Sequence, residues 1–161
     1  MLNTQQKIKF SEHAVLYDIL IPKDNKYRLI DELIDFSFIY DELKDRYCPD
    51  NGRTAADPIM LFKYLMIKVI ENLSDVDVVE HSRYDLSYKR FLGLMPEEDV
   101  IDPSLLTKFR RQRLKDVNLL DMLIGKTVGV ALEKGIIKPK TIIVDATHTI
   151  LRAYALAPSD V

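Results

Sequence analysis

Five basic side chains, Lys108, Arg110, Arg111, Arg113 and Lys115, fall within eight consecutive positions that contain no acid. Such a cluster suits a polyanion. A guanidinium fork pairs with a phosphate or with the O6 and N7 of guanine, and an ammonium acts on phosphate as a point charge. A solvated helix face carries the same residues, and charge alone does not separate the two. The second candidate is Asp145, which ends the β-branched run Thr141-Ile142-Ile143-Val144. A carboxylate there is a common metal position, because a buried strand rarely tolerates an unpaired one. The ordinary alternative is a turn or cap residue. Two-metal phosphoryl chemistry needs several carboxylates around ions about 4 Å apart, so Asp145 alone does not make that site.

The net charge of −2 hides an asymmetry. Residues 1–58 carry 8 bases and 11 acids, residues 59–101 carry 5 and 8, and residues 102–161 carry 10 and 6. The positive third is the one that holds the cluster, which again points to a polyanionic partner. With 161 residues, 47% of them hydrophobic and 30% charged, the chain is long enough for one sizeable core and is not a disordered composition. No apolar run reaches the ~20 residues of a membrane span. The polar N-terminus does not read as a signal peptide. The lone Cys48 leaves no internal disulfide and fits a reducing cytoplasm. Three scattered histidines and one cysteine do not provide a zinc module. We read His81 as a surface or boundary residue and His148 as a polar neighbour of the strand, while His13 lies in the N-terminal arm with no partner legible in the sequence.

A helix is needed to turn the basic cluster into a surface. Asp102-Pro103 is an N-cap acceptor followed by proline, and a helix from Pro103 to about Lys115 follows. At 100° per residue Leu105, Leu106 and Phe109 share one side, with Ser104, Thr107, Lys108, Arg111 and Lys115 opposite. Arg110 and Arg113 flank the apolar stripe. An anchored apolar face with Ser, Thr, Lys and Arg outward is what a major-groove helix needs, and recognition helices meet base edges near their N-terminal end.

The remaining spacing is also mostly helical. Residues 1–22 carry no clear period and read as an extended arm. Asp24 or Asn25 caps a helix through Tyr27–Leu33, with Leu29, Ile30, Leu33 and Ile34 on one side. Phe36–Tyr47 repeats the pattern, and 48–52 is turn chemistry. Asp57-Pro58 starts a helix that is apolar nearly all round and therefore central. Ser74 caps a helix to Tyr84, and Asp85 caps Leu86–Leu92, which Gly93 closes. The ten residues from Gly93 to Asp102 are longer than a tight helix-turn-helix linker. Asn118 begins a last helix that ends at Gly135. Phe62, Tyr64, Tyr84, Tyr88 and Phe91 read as core packing. The fold expected is mainly α: an arm (1–22), a multi-helix domain with a helix-turn-helix-like element (23–137), and a short strand or hairpin in 138–161. The arm and the last dozen residues are expected to be poorly ordered or held by a neighbour.

Several blocks occur in order: Asp57-Pro-Ile-Met-Leu-Phe-Lys-Tyr-Leu, Asn72-Leu-Ser74, Tyr88-Lys-Arg-Phe91-Leu-Gly93-Leu94, and Asp102-Pro-Ser104-Leu-Leu-Thr107-Lys-Phe109-Arg110-Arg111. Together with Val144-Asp145-Ala-Thr147 they resemble the helical N-terminal domain of bacterial insertion-sequence transposases of the DDE type, over roughly residues 10 to 150. The resemblance implies binding of double-stranded DNA at the terminal inverted repeats of a mobile element. It also implies that 138–161 opens a truncated ribonuclease-H-like domain, with Asp145 as the first of three acids that hold Mg²⁺ for DNA cleavage and strand transfer. No later acid in this sequence fits the other two places, so the chain by itself is expected not to cut or join DNA. A different class of function stays open. An all-helical interaction or dimerisation module, such as a truncated regulator of an intact transposase, would use the apolar 118–132 helix as a homo-oligomer contact, although ordinary core packing is the plainer reading of that helix.

Overall fold

A computed structural model describes residues 11–47, 55–114 and 117–136, and these form eight α-helices. They are α1 (Val15–Leu20), α2 (Lys26–Leu33), α3 (Ser37–Leu43), α4 (Pro58–Glu71), α5 (Asp75–Tyr84), α6 (Leu86–Leu92), α7 (Ser104–Arg113) and α8 (Val117–Glu133). Among the described residues there is no strand. The expected strand at 141–144, with Asp145 and His148, lies outside them, as do Lys115, Cys48 and the turn at 48–52.

α4 is the axis of the domain. Asp57 Oδ1 accepts from the Ile59 N–H at 2.9 Å, and Pro58 occupies the first turn. Leu61, Phe62, Tyr64, Leu65, Met66, Ile67 and Ile70 are all buried, because neighbours cover the helix on several sides: α3, α5, α6 and α7 each pack on it. Asn72 then turns left-handed (φ 54°), and Leu73 N–H donates to Lys68 O at 2.9 Å, which ends the helix cleanly. Edge-to-face and tilted rings tie α2, α6 and the start of α3 together: Tyr27 to Tyr88 at 5.1 Å, Tyr27 to Phe91 at 5.3 Å, and Phe36, just ahead of α3, to Phe91 at 5.8 Å. Each large apolar side chain buried there stabilises the fold by about 1.5–3 kcal/mol relative to exposure.

Three expectations need correction. Residues 11–22 are not an extended arm: Glu12–Ala14 form a 3₁₀ turn and Val15–Leu20 an α-helix. Tyr17 and Ile21, one turn apart, are buried, and the Tyr17 hydroxyl donates to Leu94 O at 2.6 Å. The helix is too short to be stable alone and is held by these tertiary contacts, which local spacing does not reveal. Tyr84 is not core but 80% exposed, since α5 buries Val78, Val79 and Ser82 on the opposite side. Leu33, expected on the inner side of α2, is half exposed for the same reason: α2 rolls Tyr27 and Ile30 inward.

The connection between α6 and α7 is built on a buried lysine. Gly93 (φ 74°) closes α6, and Lys89 Nζ donates to Pro96 O at 2.7 Å and Glu98 O at 2.8 Å. Met95 N–H donates to Glu98 Oε2 at 2.6 Å. A long linker is thus given the rigidity of a short one, and α7 starts from a fixed point.

Candidate nucleic-acid interface

Asp102 Oδ1 accepts from the Ser104 N–H at 2.8 Å and opens α7. Leu106 and Phe109 are buried and Leu105 is half-buried, while Leu114 is buried where the helix stops, two residues before it reads in sequence. This anchored side turns Ser104, Thr107, Lys108, Arg111 and Gln112 outward, all exposed. Gln112 carries no charge and was not singled out in sequence, although it lies one turn beyond Lys108 on the same face.

The bases of the cluster divide by position. Arg110 is turned into the protein, where Nη1 and Nη2 donate to Asp75 Oδ1 and Oδ2 at 3.0 and 2.5 Å. Lys68 Nζ donates to Asp75 Oδ1 at 2.6 Å, and Thr107 Oγ1 donates to Oδ2 at 3.2 Å. One carboxylate therefore joins α4, α5 and α7. It stands in the first turn of α5, where the helix dipole favours a negative charge. Burial works to raise the Asp75 pKa, but the hydrogen bonds and charges of Arg110 and Lys68 prevail and hold it at about 2.

Arg113 is also engaged. Its Nη1 donates to Arg46 O at 2.5 Å, Arg46 Nη1 donates to Arg113 O at 2.9 Å, and its guanidinium lies 4.3 Å from the Tyr47 ring centroid. Lys108 and Arg111 make no hydrogen bond or ion pair among the described residues. Asp102 exerts a charge on Lys108 from the start of the helix, and its own carboxyl is held below the usual range by its bonds to Ser104.

A family model described as "Transposase domain (DUF772)" matches residues 15–112, more than half of the chain. The chain belongs to this transposase-domain family. No curated protein and no solved structure matches it. The transposase domain so matched begins with the first residue of α1 and ends at Gln112, so it includes the docked N-terminal helix and the exposed stripe from Ser104 onward. Arg113, Lys115, all of α8 and Asp145 lie beyond the matched range. Within the transposase domain, sequence spacing found the outward side of α7 but missed Asp75, Lys89 and Arg46, since no local pattern links them to positions 7 to 67 residues away. No helix among the described residues is long and apolar enough to cross a membrane.

Proposed function

We propose that this transposase domain binds double-stranded DNA, in a sequence-specific manner, at the terminal inverted repeats of its mobile element, with the outward side of α7 as the reading surface. α5, α6 and α7 serve as the helix-turn-helix-like unit, with the lysine-braced connection in place of a tight turn. Ser104, Thr107, Lys108 and Arg111 face the duplex. Arg110 supports the surface from behind through Asp75. The observation that carries this reading is the split of one helix's bases, with Arg110 and Arg113 committed inward and Lys108 and Arg111 left exposed. Phosphate contacts would position the helix, and Arg111 on guanine would supply specificity.

DNA cleavage and strand transfer would belong to an intact DDE-type protein. Asp145 is the carboxylate that would serve as its first Mg²⁺ ligand. Among the described residues no group of three His, Cys, Asp or Glu side chains could hold a metal.

The test is duplex binding measured over a range of salt. Each phosphate contact contributes about 0.9 to the log–log slope. Lys108→Ala should lower the slope by about one contact at unchanged sequence preference. Arg111→Ala should cost about 1–3 kcal/mol on the preferred site and relax its sequence preference. A wild-type protein that binds no duplex, or binds with no salt dependence, removes the proposal.

A protein-interaction role has one observation in its favour. Val15, Ile19 and Leu20 on α1 are 56%, 69% and 57% exposed. Ile19→Lys would lower the oligomeric state in sedimentation if that side pairs two copies, and would leave it unchanged otherwise.

A further inference from the structure

We propose that Arg46 and Arg113 together form a second anion site, which takes a backbone phosphodiester of the bound DNA at the C-terminal end of α7. The proposal rests on the DNA-binding reading above and adds to it a residue from a different helix.

Arg46 closes the 3₁₀ turn that follows α3, and Arg113 is the last residue of α7. The reciprocal bonds seat each guanidinium against the other residue's carbonyl, so the two side chains run past one another, and Tyr47 backs that of Arg113. Two like charges held in the same region repel. The carbonyls at the ends of a 3₁₀ turn and an α-helix carry partial negative charge, which makes the pair tolerable in the free protein without neutralising it. The distribution of carboxylates across the domain sets this pair apart. Arg28 has Asp18 and Glu32, Arg83 has Glu80, Arg90 has Asp31 and Glu32, and Arg110 has Asp75. Among the described residues Arg46, Arg111 and Arg113 have no carboxylate within ion-pair distance, and Arg111 and Arg113 lie on the last turn of α7. The Asp57 carboxylate, whose charge reaches Tyr47, is committed to capping α4.

A guanidinium has five N–H donors in a planar fork, and the reciprocal contact occupies one hydrogen bond on each. Both residues are partly exposed, so donors remain to meet an anion from solvent. Two forks held by neutral carbonyls in one region can each offer donors to the oxygens of a phosphate, and they cannot read a base edge while pinned to the backbone. The pair would therefore fix the register of α7 on the duplex rather than its sequence preference.

The experiment is duplex binding against salt with the whole chain, using Arg46→Gln (charge removed) and Arg46→Lys (charge kept, fork lost), with circular dichroism as the folding control. Arg46→Gln should lower the slope by about one phosphate contact, with sequence preference unchanged. Arg46→Lys should keep the slope and bind more weakly. If the wild type binds DNA and both variants match it in slope and affinity, the pair is only a clamp between helices; this proposal is then overturned while the DNA-binding reading stands. If the wild type binds no duplex, both fall. If Arg46→Gln does not fold, Arg46→Lys decides, and wild-type affinity in that variant overturns the proposal. A parallel arm measures thermal stabilisation by inorganic phosphate. Stabilisation lost in Arg46→Gln with no change in the DNA slope would assign the pair to a small free anion, against the proposal.

Discussion

Asp75 grips Arg110 with both carboxylate oxygens, at 3.0 and 2.5 Å, and so fixes how far α7 is rolled about its own axis. The roll matters because Arg110 and Arg111 point about 100° apart on a helix. Holding one against the protein presents the other to solvent. Each partner of this pair is less than a third exposed, so breaking it should cost more than a surface ion pair would. Asp75→Asn and Arg110→Met are each expected to destabilise by about 1.5–3 kcal/mol, the range for hydrogen bonds to charged groups. In urea unfolding of the double mutant the two losses should fall well short of additive. Simple additivity would show that the contact carries no coupling. Arg110→Lys should not rescue, because an ammonium cannot make the paired contact.

The same carboxylate predicts the acid limb of the stability curve. Its pKa lies at about 2 in the folded protein against an ordinary value of 3.8. A depressed folded value means stability that is complete above about pH 4 and is lost as pH falls through about 2. Asp35, Asp77 and Asp102, each lowered by local hydrogen bonds, and Glu97, lowered chiefly by a hydrogen bond from Ser11, act in the same direction. Thermal melts between pH 5 and 2 should therefore fall steeply for the wild type and less steeply for Asp75→Asn. Parallel curves would contradict the assignment.

The central helix depends on its cap. Asp57→Ala removes the acceptor for Ile59 N–H and should cost about 1 kcal/mol in chemical denaturation. Asp85→Ala removes the acceptor for both Ser87 and Tyr88 N–H, at 2.7 and 3.2 Å, and should cost a similar amount. No measurable loss in either would show that α4 and α6 are held by packing alone.

The Tyr17 hydroxyl helps fasten the N-terminal helix, beside the Arg28 bonds to Asp18 and Ile21 O. Tyr17→Phe keeps the ring and leaves Leu94 O without its donor, at an expected cost of about 1–3 kcal/mol. Amide exchange in residues 15–20 should accelerate more than in α4. Uniform acceleration across the chain would mean that α1 unfolds only with the whole domain.

Local chemistry in the sequence determined most of the helices of this protein. Asn25, Asp57, Ser74 and Asp85 each accept the N–H bonds expected of a cap, and Gly93 and Gly135 take the left-handed turns at the predicted ends. The outward side of α7 was legible as well, since Leu106 and Phe109 fix it through a 3.6-residue period. These features depend on neighbours within a few residues, which is the range over which a sequence pattern speaks. The tertiary structure alone decided which bases are committed: Asp75 takes Arg110 from 35 residues away, and Arg46 meets Arg113 across 67. It also decided that 15–20 is a docked helix and that Tyr84 stands in solvent. Such pairings arise from the packing of α3, α4, α5 and α7 around one core, and a helical period fixes the direction of a side chain but not the partner waiting there.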